Sequence, residues 1–523
     1  MGSAQGDPPV ARWPVGAAIG VLAGAVAIGT ATLAAGLIGT GTAPVLAVGG
    51  AAVDASPEWL KRFAIDTFGT DDKTALLLGI GIVLTVAAIV LGIMSLRRPR
   101  AAVAGLVGLG AIGAIAAVTR PANGPLAAVP SIAGAAAGLW AYVWLRGRAG
   151  LPPMVEHTDA ETEPAMPGGL DRRRFLFGGA VVAGLAIAPG FVGEYLVRRS
   201  EASASRSAVR LPEVVDTGTP TPTGADLHVD GEIPFLTPND AFYRVDTALF
   251  VPAVQTDGWT LNVHGMVDTP LTLDFDQLIS RPLIERDVTL CCVSNEVGGH
   301  YIGNARWTGT LLAPLLQEAG IQPGVTQLVS RSTDGFTTGT PASVALDGRD
   351  AMLVVAMNGE PLPLQHGFPV RMVIPGLYGY ESACKWITDI EATTYEAYSA
   401  YWVERGWAER VLIKTESRID VPKRGATVPA GSVTVAGIAW AQHRGIRAVE
   451  IQVDDGPWAA AKLGAQDTID TWRQWRYDWQ AASGPHTITV RATDGDGVVQ
   501  TSAVAPPFPS GATGLHQIEV TVS

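Results

Sequence analysis

Two of the chain's three cysteines stand side by side in VTLCCVSNEVGGHYIGNARWTGTLL, residues 288–312. Cys291 and Cys292 close the β-prone run Val288-Thr289-Leu290 and are followed by Asn295 and a glycine pair. A disulfide between adjacent cysteines demands strained geometry, so a thiol is left for other chemistry. Four uses compete. A bridge to Cys384 suits an oxidising compartment. Zinc fits poorly, because no Cys-x-x-Cys or His pair at ligand spacing accompanies the two residues. A nucleophile wants a base, and His300 is near in sequence but not thereby in space. A single thiolate suffices for a soft or high-valent metal when a non-protein ligand supplies the other sulfurs.

The elements that must carry these residues divide the chain. At 523 residues it suggests about three domains. With 16% charged residues and a positive mean hydropathy, it is too apolar to be soluble throughout. The imbalance lies in the first 200 residues, rich in Ala, Gly, Val, Leu and Ile. Five apolar runs there, 14–38, 75–96, 101–119, 126–145 and 175–197, are near the length of roughly 20 residues that spans a bilayer. Gly16, Gly20 and Gly24 form a small-xxx-small ladder suited to close helix packing in lipid. Arg97, Arg98 and Arg100, then Arg146, Arg148 and Arg172 to Arg174, all fall on the cytoplasmic side if the amino terminus is inside. Lys61 and Arg62 run against this pattern, accompanied by Glu58 and Asp66. Five spans then place everything after about residue 200 outside the cell. DRRRFLFGGAVVAGLAIA, residues 171–188, resembles a twin-arginine export signal, with Asp171 and Phe177 departing from the usual residues. No small-residue cleavage site follows, so this span is expected to remain as an anchor.

Residues 201–235, rich in Ser, Pro, Thr and Gly, read as a linker. Strand-like runs then appear at 259–264, 288–292, 327–330 and 352–356, with a short helix over 310–320, a mixed α+β texture. After about residue 416, regularly spaced strands with turn signals read as an all-β immunoglobulin-like sandwich, and alternation in RAVEIQV puts Val449, Ile451 and Val453 on one face.

LCCVSN followed by GNARWTGTLL resembles the segment that carries the metal-binding cysteine in the sulfite oxidase family of molybdopterin enzymes. The likeness continues in order through LTPNDAFYRVDTAL (236–249), VAMNGEPLPLQHGFPVR (355–371) and MVIPGLYGYESACKW (372–386). It covers roughly residues 230–410 and implies a molybdopterin-binding catalytic domain over 236–415 followed by a dimerisation-type immunoglobulin-like domain over 416–523, to which this chain adds the membrane domain over 1–200 and the linker 201–235 read above from hydropathy and composition. It also implies that Cys292 ligates molybdenum as a thiolate, held deprotonated by the metal, while Cys291 packs. His366, Arg371 and Lys385 match positions that hold the pterin and its phosphate, a dianion suited to Arg forks and an ammonium. Backbone groups of Ala383 and Cys384 add contacts, Asp334 accepts from the pterin's amino groups, and Tyr243 and Arg244 line the cofactor near the metal. Tyr378, Tyr380, Tyr401, Trp402 and Trp407 are candidates to shape a pocket, although packing is the commoner use of such rings.

The departures are informative. Where sulfite oxidases carry arginines soon after the Cys-x-x-Asn, this chain has Glu296 and Val297; where they have an Asn-His pair after an arginine, it has Val245 and Asp246. A carboxylate facing a sulfite dianion repels it, which points to a less charged sulfoxide or N-oxide. The reaction class is two-electron oxygen-atom transfer, with sulfite oxidation as the alternative and a non-catalytic cell-surface binder as the alternative of another class. None of the eight histidines, His157, His228, His264, His300, His366, His443, His486 and His516, lies in an apolar span, so haem is not expected within this chain. Electrons therefore need an external cytochrome or a quinone-linked partner. The expected setting is a multi-pass cell-membrane protein with an extracytoplasmic catalytic domain and a homodimer through the sandwich. A net charge of −12 argues against nucleic acid as a partner.

Overall fold

The computed structural model describes residues 13–38, 42–57, 60, 63–64, 67–68, 72–120, 124–149, 151, 190–248 and 250–523. The chain divides into two compact units, residues 1–199 with 247–250, and residues 200–246 with 251–523.

The first unit is built from helices α1 (Trp13–Ile38), α2 (Pro44–Ala55), α3 (Asp72–Met94), α4 (Pro99–Val118) and α5 (Val129–Arg148). Among the described residues four helices, 13–36, 75–94, 99–118 and 125–148, are long and apolar enough to cross a membrane, and they coincide with the first four expected spans. Of the expected fifth span, residues 175–189 lie outside the described residues, as does the whole twin-arginine segment; the remainder opens α6 (Gly190–Ala208). Lipid gives apolar side chains no reason to leave it, so contact between such helices rests on close backbone approach. The glycine ladder of α1 supplies this: a Cβ at Gly16 would lie 2.8 Å from the carbonyl oxygen of Gly92 on α3. Likewise, Gly138 of α5 lies where a Cβ would sit 2.7 Å from that of Ala27 on α1.

The second unit begins with most of α6's last turns. The stretch expected as a linker is helical to Ala208 and then lies as extended chain along residues 283–285. There the Val215 amide donates to the Leu283 carbonyl at 2.9 Å, the Glu285 amide to that of Asp216 at 2.8 Å, and Ala225 and Phe235 are buried. Its Pro- and Thr-rich composition hides this, because the docking uses backbone groups.

The part of the second unit before the sandwich is mixed α and β. One sheet orders β2-β1-β10-β5-β6, from β1 (Thr260–Gly265), β2 (Leu271–Asp274), β5 (Gln327–Ser332), β6 (Thr337–Pro341) and β10 (Ile387–Thr393). The other orders β3-β4-β7-β8, from β3 (Leu283–Cys291), β4 (Ile302–Leu311), β7 (Met352–Met357) and β8 (Glu360–Pro361), with β9 (Arg371–Val373) also pairing β7. Every residue of β7 is buried, which is why MLVVAM reads as an unbroken apolar run rather than an alternating one. Helix α7 (Phe275–Ile279) starts in a capping box in which Asp274 and Gln277 exchange side-chain bonds with each other's amides. Helix α8 (Leu312–Glu318) lies inside the expected 310–320, and α9 (Gly379–Ser382) is a single turn.

Residues 416–523 form the expected sandwich. One sheet orders β11-β13-β17-β16, from β11 (Glu416–Val421), β13 (Gly431–Trp440), β16 (Lys462–Leu463) and β17 (Arg473–Ala481). The other orders β12-β19-β18-β14-β15, from β12 (Thr427–Val428), β14 (Ile446–Val453), β15 (Ala459–Ala460), β18 (Gly484–Asp494) and β19 (His516–Val522). Val449 and Ile451 of β14 are buried in its core, and Val453 packs against that core from its edge. A separate apolar cluster joins the two domains, combining Cys291, Val293 and Ile302 with Trp440 and Trp472 of the sandwich.

Candidate active site

Strand β3 delivers the two cysteines in opposite directions, as period-2 geometry requires. Cys291, paired in register with Ile302, is buried in the interdomain cluster. Cys292 lies one residue beyond the strand, half-buried, with its amide donating to the Tyr301 carbonyl at 2.9 Å. All three cysteines are free thiols, which removes the bridge to Cys384. The Cys292 sulfur lies 3.0 Å from Oγ of Ser294. Burial pushes the Cys292 thiol pKa up, while the hydroxyl and amide of Ser294 pull it down. The Asn295 amide donates to the Cys292 carbonyl at 3.0 Å, and the Asn295 side-chain oxygen accepts from the Tyr301 amide at 2.8 Å. Tyr243 stacks on Phe242 at 5.2 Å between ring centroids and faces Tyr301 at 6.4 Å. A Cβ on Gly379 would sit 3.7 Å from the Cys291 carbonyl oxygen and 3.8 Å from the Tyr243 hydroxyl, so the start of α9 abuts both.

A basic cradle lies beside Tyr243 and Arg244. The Arg371 guanidinium is buried, donates from one Nη to the His366 carbonyl at 3.2 Å and sits 5.0 Å over the Trp307 ring. Its Nε is buried with no partner, and among the described residues no carboxylate pairs with it. Burial pulls its pKa down to about 10. His366 bonds through Nε2 to the Asn239 carbonyl at 2.8 Å, and burial pulls it down to about 4, leaving it neutral near pH 7. Gly367 has φ of 111°, and a Cβ there would meet those of Arg371 and Lys385 at 3.0 and 3.1 Å. The glycine therefore lets these two cationic residues approach across one turn.

Asp246 requires a correction. Rather than facing an open pocket, its carboxylate is almost wholly buried, at 2% exposure, between two cations. It accepts from Arg244 Nε at 3.0 Å and pairs with Lys385 Nζ, which also donates to the Gln365 carbonyl at 3.3 Å. Ala383 and Cys384 also differ in part from expectation. The Ala383 amide already donates to the Gly379 carbonyl at 3.0 Å, and the Cys384 carbonyl accepts from the Met372 amide at 2.9 Å. Asp334 sits in the β5–β6 turn, where it accepts from the Phe336 amide at 3.2 Å. Tyr378, Tyr380 and Trp407 belong to the interdomain cluster with Cys291, and Tyr401 and Trp402 meet edge-to-face at its edge. Packing is thus the main work of these rings.

Sequence reasoning missed three groups around the cysteine loop. Ser294 carried a usable signal, since a hydroxyl two residues after a side-chain acceptor can fold back onto it. Arg418 and His516 carried none. Arg418 Nη1 donates to the Gly299 carbonyl at 2.7 Å, across 119 residues, while its Nε holds Asp420 at 2.8 Å. His516 accepts the Ile419 amide at Nδ1, 3.0 Å away, and its ring lies where a Cβ on Gly298 would overlap it. The sandwich therefore clasps the loop that follows Cys292.

The description "oxidoreductase molybdopterin binding domain" matches residues 248–402, and "bacterial Ig domain" matches residues 416–490. Human mitochondrial sulfite oxidase is 32% identical over 321 residues, 52% of this chain and 58% of the relative. An uncharacterized oxidoreductase of Bacillus subtilis, YuiH, is 33% identical over 152 residues, 29% of this chain and 73% of the relative. Among solved structures, the sulfane dehydrogenase SoxCD from Paracoccus pantotrophus is 22% identical, covering 57% of this chain and 82% of that one at a TM-score of 0.47. The chain spans less than two thirds of the length of the sulfite oxidase it matches.

Proposed function

Because the chain belongs to the sulfite oxidase family of molybdopterin-dependent oxidoreductases, we propose that its second unit seats the cofactor between Cys292 and the cradle of His366, Arg371 and Lys385. The observation that carries this seat is the buried Arg371 guanidinium with its unpartnered Nε. A buried cation without a counter-ion is costly, and the pterin's phosphate is the anion that would offset it. Cys292 would bind the metal as its thiolate. Tyr243 and Arg244 would line the cofactor, Asp334 would accept from its amino groups, and Ala383 and Cys384 would wall it. The bound group supplies two-electron oxygen-atom transfer. The chain's own part is to hold that centre, exclude water around it with Tyr243 and Tyr301, and set the charge that meets the substrate.

That charge favours a small sulfur or nitrogen oxo-compound of low charge, such as a sulfoxide or N-oxide. Asp246 offsets one of the two positive charges of Arg244 and Lys385, and Glu296 and Val297 occupy the positions where the resemblance places arginines that would attract a dianion. Sulfite oxidation is the second reading, favoured by the 32% identity to a sulfite oxidase. The apolar helices of the first unit would anchor the protein in the cell membrane with its catalytic domain outside, as the arginine distribution favours. An external cytochrome or quinone-linked partner would exchange the electrons, and the sandwich would pair two chains. The test is metal analysis of the full-length protein in detergent, followed by turnover with sulfite, a sulfoxide and an N-oxide using an artificial electron carrier. Absence of molybdenum would refute the seat, and brisk turnover of sulfite alone would refute the low-charge substrate.

A further inference from the structure

We propose that Ser294 tunes the metal-binding sulfur: its hydroxyl donates to Sγ of Cys292 and sets how readily the bound metal accepts electrons. This rests on the reading of Cys292 as the metal ligand. The sulfur-to-oxygen distance is 3.0 Å. A thiolate has no proton to give, so in the ligand state the hydroxyl must be the donor.

The surrounding turn keeps the hydroxyl in place. Val293 is buried in the interdomain cluster, the Asn295 amide donates to the Cys292 carbonyl at 3.0 Å, and the Cys292 amide donates to Tyr301 at 2.9 Å. Ser294 is thus held between two fixed neighbours. Reduction of a metal places electron density on its thiolate, and a donor to that sulfur stabilises the electron-rich state more than the electron-poor one. The hydroxyl therefore raises the reduction potential. Its loss should lower the reduced-to-oxidised ratio at fixed potential by about tenfold, or roughly 59 mV for a one-electron step.

Full-length parent, Ser294→Ala and Ser294→Thr proteins are purified in detergent, their molybdenum is quantified, and each is titrated potentiometrically while the odd-electron metal signal is followed by electron paramagnetic resonance. The expected result is a lower potential in Ser294→Ala and the parent value in Ser294→Thr, which keeps the hydroxyl. If the alanine variant releases molybdenum and the threonine variant retains it, the hydroxyl requirement is again supported. Equal potentials in parent and alanine variant at equal molybdenum content overturn the proposal while leaving Cys292 as ligand. Loss of molybdenum from both variants also overturns it, since shape and not the hydroxyl would then decide. A parent protein without molybdenum sinks the ligand reading itself, and the proposal with it.

Discussion

Replacing Arg371 by methionine should have opposite effects on the cofactor-free and loaded protein. In the cofactor-free fold the guanidinium is buried, its pKa drawn from 12.5 to about 10. That depression corresponds to about 3 kcal/mol of penalty on the charged form. The methionine variant escapes the penalty but loses the bond to the His366 carbonyl, worth about 1 kcal/mol, and the stacking on Trp307, worth about 1 kcal/mol. The cofactor-free variant should therefore be as stable as its parent or about 1 kcal/mol more stable, a rise of roughly 2–4 °C in unfolding midpoint. With the phosphate seated as proposed, the same change removes the buried one of the cradle's two cations, at a cost of about 2–5 kcal/mol. Cofactor affinity should then fall by roughly thirtyfold or more. The pH dependence has a definite sign. Between about 10 and 12.5 the unfolded chain holds this proton and the folded chain does not, so the parent gains stability as pH rises there, and the variant lacks that gain. Thermal unfolding followed by circular dichroism, on full-length protein with and without cofactor, reads both effects. A variant that loses several kcal/mol in the cofactor-free state would refute the reasoning, because Arg371 would then be a structural residue and not a waiting counter-ion.

Cys292→Ser should abolish both molybdenum retention and turnover, whereas Cys291→Ser should keep most of both and cost about 1–3 kcal/mol of stability by burying an unpaired hydroxyl; the reverse pattern would place the ligand one residue earlier. Glu381 is 1% exposed and burial raises its carboxyl to about 8, so the fold loses stability as pH climbs from 4.5 through 8. Glu381→Gln should flatten that slope and stabilise the protein above pH 8 by about 3–5 kcal/mol, and unchanged pH-dependent unfolding curves would count against a buried acid. Gly298 has φ of 78° against the His516 ring, so Gly298→Ala should displace the loop after Cys292 and lower turnover more than about tenfold; normal kinetics would show that the clasp of the sandwich is dispensable.

Much of the architecture was legible because local patterns encode it. Apolar runs of about 20 residues without charge read as helices long and apolar enough to cross a membrane, since an unpaired charge in lipid is costly. The alternating RAVEIQV gives a half-buried strand because its side chains project to opposite faces. The ordered motifs around Cys292, His366, Arg371 and Lys385 pointed to one cofactor, and the free thiol and the cradle lie in the same unit of the fold.

Residue types, spacing and order determined by themselves which side chains were available: a lone thiol after a strand, a basic trio, a carboxylate where an Asn-His pair was expected. Only the tertiary structure decided what each one meets. Asp246 is silenced by Lys385, 139 residues away, and the loop at Gly299 is held by Arg418 from another domain. The physical reason is that the energy of a charge or a donor depends on its burial and on its nearest partner in space. Neither quantity has a period along the chain.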